Sequence, residues 1–256
     1  TRLPRIAMRS RVQASEIQRC HLGDLGAAIE QLKIVRQRDP AHEEAFTRLK
    51  ELLVQVRRIP EALELCERRL GTIEDRHQRV ILLNEMADMA LNHLQDPSRA
   101  IHYLAASITE EPRQLRRLRI LAEMYDSNGQ HQQALACYDA ATRISRDERL
   151  NARILLQMAH ILEHKLDQPD GAAAAYGRAL ELDPSNMQAL HALVRVRQRH
   201  GDFMGALEGL RRLESLASTP EELRRVRVAR LEMAERGELP AEVVLDAARE
   251  VLRHHP

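Results

Sequence analysis

The sequence predicts an all-α solenoid of about seven stacked helical hairpins, and three observations predict it. Pro40, Pro112, Pro184 and Pro256 recur at steps of 72 residues, as do the small residues Ala28, Ala100 and Ala172, with Val244 in the fourth position. A second series, Ala62, Ala134 and Ala206, has the same step and lies 34 residues after the first, so small-residue spacings alternate between 34 and 38. Aromatic residues make up 2% of the 256-residue chain and tryptophan is absent, which suits close helix-to-helix packing through Ala, Leu, Ile, Val and Met. A repeat of this length marks a stack of supersecondary units.

The units are expected at about 5–40, 41–71, 72–112, 113–146, 147–184, 185–218 and 219–256, together forming one array over 1–256. In the first, Gly23-Asp24-Leu25-Gly26 reads as a helix-hairpin turn; it lacks the Gly-Lys-Ser/Thr ending and preceding strand of a phosphate loop. The second carries Phe46, Leu49 and Leu53 at helical spacing, then Ala62 and Cys66. The third predicts a helix over 80–94, the connector Gln95-Asp96-Pro97, and a second helix containing Ala100. In the fourth, Leu118, Leu121, Ala122 and Tyr125 share one face, Asn128-Gly129 breaks the helix, and Ala134, Tyr138 and Ala141 follow. The fifth predicts a helix over 152–166, the connector Asp167-Gln168-Pro169, and Ala172, Tyr176 and Ala179 on the second helix. These two connectors appear one residue longer than their neighbours, with the remaining extra length around 71–79 and 145–151. The sixth repeats the scheme with Leu190, Leu193 and Val194, then Gly201, Ala206 and Leu210. The seventh ends in a helix over about 241–254 whose Val243, Val244, Leu245, Val251 and Leu252 surround much of its circumference, so continuation beyond Pro256 is expected. The start at Thr1 likewise suggests a piece of a longer polypeptide.

The strings Leu118-x-x-Leu121-Ala122-x-x-Tyr125, Gly129, Ala134-x-x-x-Tyr138-x-x-Ala141 and Ala172-x-x-x-Tyr176-x-x-Ala179-Leu180-Glu181-Leu182-Asp183-Pro184 resemble the tetratricopeptide repeat family. Small residues at Ala122 and Ala134 let two helices approach while Leu and Tyr fill the gaps, and proline disfavours helical geometry in the residue before it. The chain departs from the family pattern in having Phe46, Leu118 and Leu190 at the large position of the first helix. The resemblance implies a right-handed superhelix, with the first helix of each unit lining a concave groove that holds a segment of another protein.

Carried through in register, the groove is expected to present Asn84, Asp88, Arg116, Arg119, Arg153, His160, His164, Gln188, His191, Arg195 and Arg199, with Glu44, Thr47, Glu51, Glu123 and Asp126 among them. Arginines concentrate in its later half, which points to an acidic partner segment, because guanidinium forks bind carboxylates bidentately. The competing reading is that they pair with neighbouring Glu and Asp. The Asn and Lys pattern with which some family members clamp a terminal carboxylate is not present.

Charge is balanced, with 39 Lys plus Arg against 38 Asp plus Glu, which disfavours nucleic acid as partner. Arginine dominates, lysine being confined to Lys33, Lys50 and Lys165, a bias expected of a GC-rich bacterial genome. Cys20, Cys66 and Cys137 form no C-x-x-C and read as small buried residues rather than a disulfide or zinc framework. No apolar run approaches the roughly 18–20 residues that span a bilayer, and a cytoplasmic location is expected. His160-Ile161-Leu162-Glu163-His164 fits the H-x-x-E-H string of inverted zinc peptidases, with two imidazoles on one helix face. The repeat already accounts for Met158, Ala159 and Leu162, however, and a groove-lining histidine pair is expected instead. No catalytic constellation, cofactor or metal is expected. The reading is thus a non-enzymatic protein-interaction scaffold. The alternatives are the recognition or regulatory arm of a larger enzyme or regulator, self-association through terminal helices, and RNA binding by helical repeats.

Overall fold

The computed structural model describes residues 3–252, with side chains from Ala7 onward; the predicted helix end at 253–254, His254-His255 and Pro256 lie outside the described residues. Among these residues there are fourteen α-helices and no strand. They pair into seven hairpins: α1 (Leu3–Ile17) with α2 (Leu25–Arg38), α3 (Glu43–Gln55) with α4 (Ile59–Leu70), α5 (Arg76–Met89) with α6 (Pro97–Glu110), and α7 (Leu115–Ser127) with α8 (His131–Ile144). Then come α9 (Glu148–His164) with α10 (Pro169–Leu182), α11 (Met187–Arg199) with α12 (Phe203–Leu216), and α13 (Pro220–Arg236) with α14 (Ala241–Leu252). The chain divides into two compact units, one reaching Arg117 and the other starting at Leu118 within α7. Each is an all-α stack of such hairpins.

The turns account for one of the four residues by which the alternating spacings differ. Each hairpin has one residue in the left-handed region: Gly23, Arg57, Gln95, Gly129, Asp167, Gly201 and Glu238, at intervals of 34, 38, 34, 38, 34 and 37. In four hairpins the next amide reaches back five residues: Arg58 N–H to Leu53 O, Gln130 to Tyr125, Asp202 to Arg197 and Leu239 to Ala234. This is the hydrogen bond of a Schellman cap. In the other three it reaches back six, from Asp24 to Gln18 O, Asp96 to Ala90 O and Gln168 to Leu162 O. The extra residue is absorbed in the last turn, which becomes π-helical at Gln18–Leu22 and Ala90–Leu94. The expected longer connectors of the third and fifth hairpins are therefore found, and the first hairpin shares them.

Four of the seven left-handed residues are not glycine, and each carries a Cβ that this conformation crowds. Gln95→Gly and Glu238→Gly are each expected to raise stability by about 0.5–1 kcal/mol, while Gly129→Ala, at φ 75°, should lower it by about 1 kcal/mol. Urea unfolding curves of the three variants check the opposite signs.

Helix starts follow local chemistry. The side chains of Asp24, Asp75, Asp96, Asp147, Asn186 and Asp202 each accept from the backbone N–H three residues on, satisfying donors the helix leaves open. Thr219 and Glu222 make a reciprocal capping box at α13. Asp39, Glu111 and Asp183 stand outside helical geometry immediately before Pro40, Pro112 and Pro184, so the prolines end α2, α6 and α10.

Ala28, Ala62, Ala100, Ala134, Ala172 and Ala206 are all fully buried, as close helix packing requires, and Leu49, Leu53, Leu118, Leu121, Leu190 and Tyr138 are buried as well. Two expectations need correction. Cys20 is exposed, because it sits in the π turn with its Sγ 3.3 Å from Glu16 Oε1. Cys66 is buried and Cys137 half-buried, and burial pushes their thiols up to about 12 and about 11. Tyr125, expected inside, is only half-buried; the adjacent Met124 fills the core. Among the described residues, no helix is long and apolar enough to cross a membrane.

Candidate partner-binding face

In the first unit, polar contacts tie helices together both within a hairpin and between successive hairpins. Asn84 Nδ2 donates to Gln114 Oε1 (2.9 Å), and the fully buried Ser107 Oγ donates to Asn84 Oδ1 (3.0 Å). Asp88 receives both Nη atoms of Arg117 at 2.6 and 2.8 Å, and Lys50 meets Glu85. Asn84 and Asp88 are therefore engaged within the chain. Glu44 pairs with Arg48 (3.0 Å), whereas Arg116 is exposed.

The second unit differs. Beyond Glu148, an exposed acid in its first turn, the exposed residues of α9 are Arg149, Arg153, Gln157, His160 and His164. On α11 they are Gln188, His191, Arg195 and Arg199. Both sets recur at three- and four-residue steps, as one face of a helix must. Neither stripe contains an exposed carboxylate. On α7 the picture is mixed: Arg119 is half-buried with its Nε without an acceptor, Glu123 is exposed, and Asp126 lies 2.8 Å from His131 Nδ1.

One carboxylate lies beneath the stripes. The Glu163 side chain is only 5% exposed, and it joins the two helices. Arg195 donates through Nε and Nη2 at 3.0 Å each, Tyr176 Oη donates at 3.0 Å, Arg199 Nη1 stands at 3.8 Å, and His164 Nε2 at 3.5 Å. Burial pushes the Glu163 carboxyl up, but the hydrogen bonds from Arg195 and Tyr176 outweigh it and hold the group below its ordinary value. Burial, and then the bond to Glu163, push the Tyr176 hydroxyl up to about 12. Of the arginines expected to await a ligand, Arg195 is thus committed to this chain and Arg199 is drawn toward the same carboxylate, whereas Arg153 is exposed without such a contact.

The same arrangement takes in the H-x-x-E-H string. The His160 and His164 rings meet edge to face, with centroids 4.5 Å apart, but Glu163 turns away into its ion pair. Among the described residues no group of three or more His, Cys, Asp or Glu side chains converges as a metal site. The Glu163 carboxylate is engaged here by a bidentate arginine and a tyrosine.

The lowered Glu163 and Glu214 carboxyls carry a pH signature. A group whose folded pKa is depressed stabilises the fold fully above its unfolded pKa and loses that contribution as pH falls through the folded value. Thermal midpoints are expected to hold steady down to about pH 4.5 and to fall below it; Glu163→Gln should flatten part of that fall.

Arg149 and Gln157 escaped the sequence reading, although the four-residue step from Arg153 reaches both. The Glu163–Tyr176–Arg195 cluster had no such signal, because Arg195 is 32 residues from its partner.

Family models described as tetratricopeptide repeat match residues 90–148 and 152–186. No curated protein matches the chain in a sequence comparison. Among solved structures, the chain is similar to the MamA protein, at 19% identity over 71% of this chain and 94% of that one, with a TM-score of 0.45. It is also similar to a tetratricopeptide repeat protein from Parabacteroides merdae, at 16% identity over 96% and 99% of the two chains, TM-score 0.44. A third is the C-terminal part of a repeat-containing protein from Cytophaga hutchinsonii, at 12% identity over 96% and 95%, TM-score 0.48.

Proposed function

We propose that this chain, which carries tetratricopeptide repeats, is one tandem array of seven hairpins that binds an acidic segment of another protein along α9 and α11. Repeats of this kind typically serve protein interaction, because stacked hairpins present extended surfaces for recognition. The observation that carries the reading is the absence of any exposed carboxylate from two adjacent stripes that bear Arg149, Arg153, His160, His164, His191, Arg195 and Arg199. Such a face attracts acidic segments and repels basic ones, so it sets specificity and association rate as well as affinity.

Fluorescence anisotropy tests this with labelled twelve-residue peptides rich in Asp and Glu, and with Gln-rich and Lys-rich controls. The acidic peptide is expected to bind, with affinity falling as salt rises. The double variant Arg153→Glu, Arg199→Glu should weaken it by at least about tenfold, or roughly 1.4 kcal/mol. Equal binding of the Gln-rich peptide, or an unaltered affinity in the double variant, would remove the reading.

A further inference from the structure

We propose a second, separate site: an oxyanion, phosphoryl or carboxylate, bound between Arg36 and Arg69 at the end of the first two hairpins. The sequence marks both positions as departures from the repeat. At steps of 72, Arg36 corresponds to Ile108 and Leu180, and Arg69 to Ala141 and Leu213. Leu180, Ala141 and Leu213 are buried apolar residues. Two guanidinium groups thus stand where the positions one and two 72-residue steps on hold hydrocarbon, and burying a cation needs a compensating partner.

The chain supplies only part of that compensation. Arg69 Nη2 reaches Glu43 at 2.5 Å and its Nη1 reaches Thr72 Oγ1 at 3.3 Å. Arg36 lies over the Phe46 ring, 5.4 Å from its centroid, and its one hydrogen-bond acceptor is the Pro40 carbonyl. The Nε of each arginine is buried with no acceptor. Burial and then the nearby charge of Arg69 pull the Arg36 pKa down, against the weaker opposing effects of Glu43 and Asp39. Beside Arg36 opens a cleft of about 440 Å³, whose lining includes Lys33, Leu49, Leu53, Arg68 and Thr72. The acids on its rim are already held, Glu61 by Lys33 and Arg58, and Glu64 by Arg68. Arg36 is therefore the cation facing the cleft without a carboxylate of its own. An oxyanion accepting from its fork and from Arg69 would satisfy both groups and offset their mutual repulsion.

The test uses the full chain with inorganic phosphate and, separately, acetate, at ionic strength held constant with chloride. Thermal midpoints and the arginine Nε–H resonances are followed together. Phosphate at ten times its Kd is expected to raise the midpoint by about 3–5 °C, saturably, and to shift two Nε–H signals that vanish in Arg36→Lys and Arg69→Lys. Saturation by phosphate alone assigns a phosphoryl ligand, and equal saturation by acetate assigns a carboxylate; both support the site. Arg36→Lys keeps the charge but loses the fork, so it should abolish the saturable part while the exposed-site control Arg178→Gln retains it. A non-saturating rise shared by wild type and Arg36→Lys would overturn the proposal. So would stability losses in the variants with no change in the phosphate response, since the arginines would then only cap the helix ends.

Discussion

Glu214→Ala is expected to cost about 3–5 kcal/mol. Glu214, in the last turn of α12, accepts from Arg227 Nε at 2.7 Å and from Arg230 Nη1 at 2.6 Å, both on α13. The Arg230 side chain is 8% exposed, and its other partner is Asp246 on α14, at 3.2 Å, whose own side chain is 58% exposed. Removing Glu214 leaves a buried guanidinium with one weakly placed, well-solvated counter-charge, and an uncompensated buried ion costs far more than the pair contributes. Burial pushes the Glu214 carboxyl up, yet the two arginines outweigh that and hold it low, in keeping with an ionised hub. Arg230→Met removes the buried charge together with its need for a partner, and leaves Glu214 bonded to Arg227. Its cost should be no more than about 1 kcal/mol. Urea unfolding followed by circular dichroism separates the two variants; equal losses would show that the network is not the staple that these distances imply.

Leu190→Ala is expected to cost about 2–5 kcal/mol. Leu190 is fully buried in the cluster that joins Ala172, Tyr176, Leu193, Ala206, Leu210 and Met233, side chains of three successive hairpins. A single hairpin cannot bury its apolar face alone, so a cavity at the junction weakens the hairpins on either side of it together. The neighbouring His191→Ala, on the exposed stripe, should stay within about 0.5 kcal/mol. A loss below 1 kcal/mol for Leu190→Ala would mean that the hairpins do not depend on one another for their core.

Much of this fold was legible because the repeat is written in residues whose geometry allows few alternatives. A proline disfavours helical geometry in the residue before it, and small buried residues recur where helices pack, so Ala28 to Ala206 and Pro40 to Pro184 located the hairpins. The turns were less legible. Gly23, Gly129 and Gly201 signal left-handed backbone, but Arg57, Gln95, Asp167 and Glu238 adopt it without glycine, held by the closing hydrogen bonds. The candidate site was legible as a face and not as a charge balance. Helical register placed Arg153, His160, His164, Gln188, His191, Arg195 and Arg199 in solvent. It could not foresee that Glu163 would lie beneath them, nor that Asn84 and Asp88 would be held by Gln114 and Arg117, because those pairings depend on how neighbouring hairpins stack. The burial of Arg230 and the exposure of Leu245 and Leu252 depend on the same stacking in the last hairpin.

Photo-crosslinking addresses the proposed binding face most directly. A photoreactive residue at position 157 lies mid-stripe on α9, and one at Arg178 lies on the exposed side of α10 in the same unit. With the acidic peptide present, position 157 should yield a crosslinked product that excess unlabelled peptide suppresses, and position 178 should yield none. Capture at 178 with none at 157 would contradict the account.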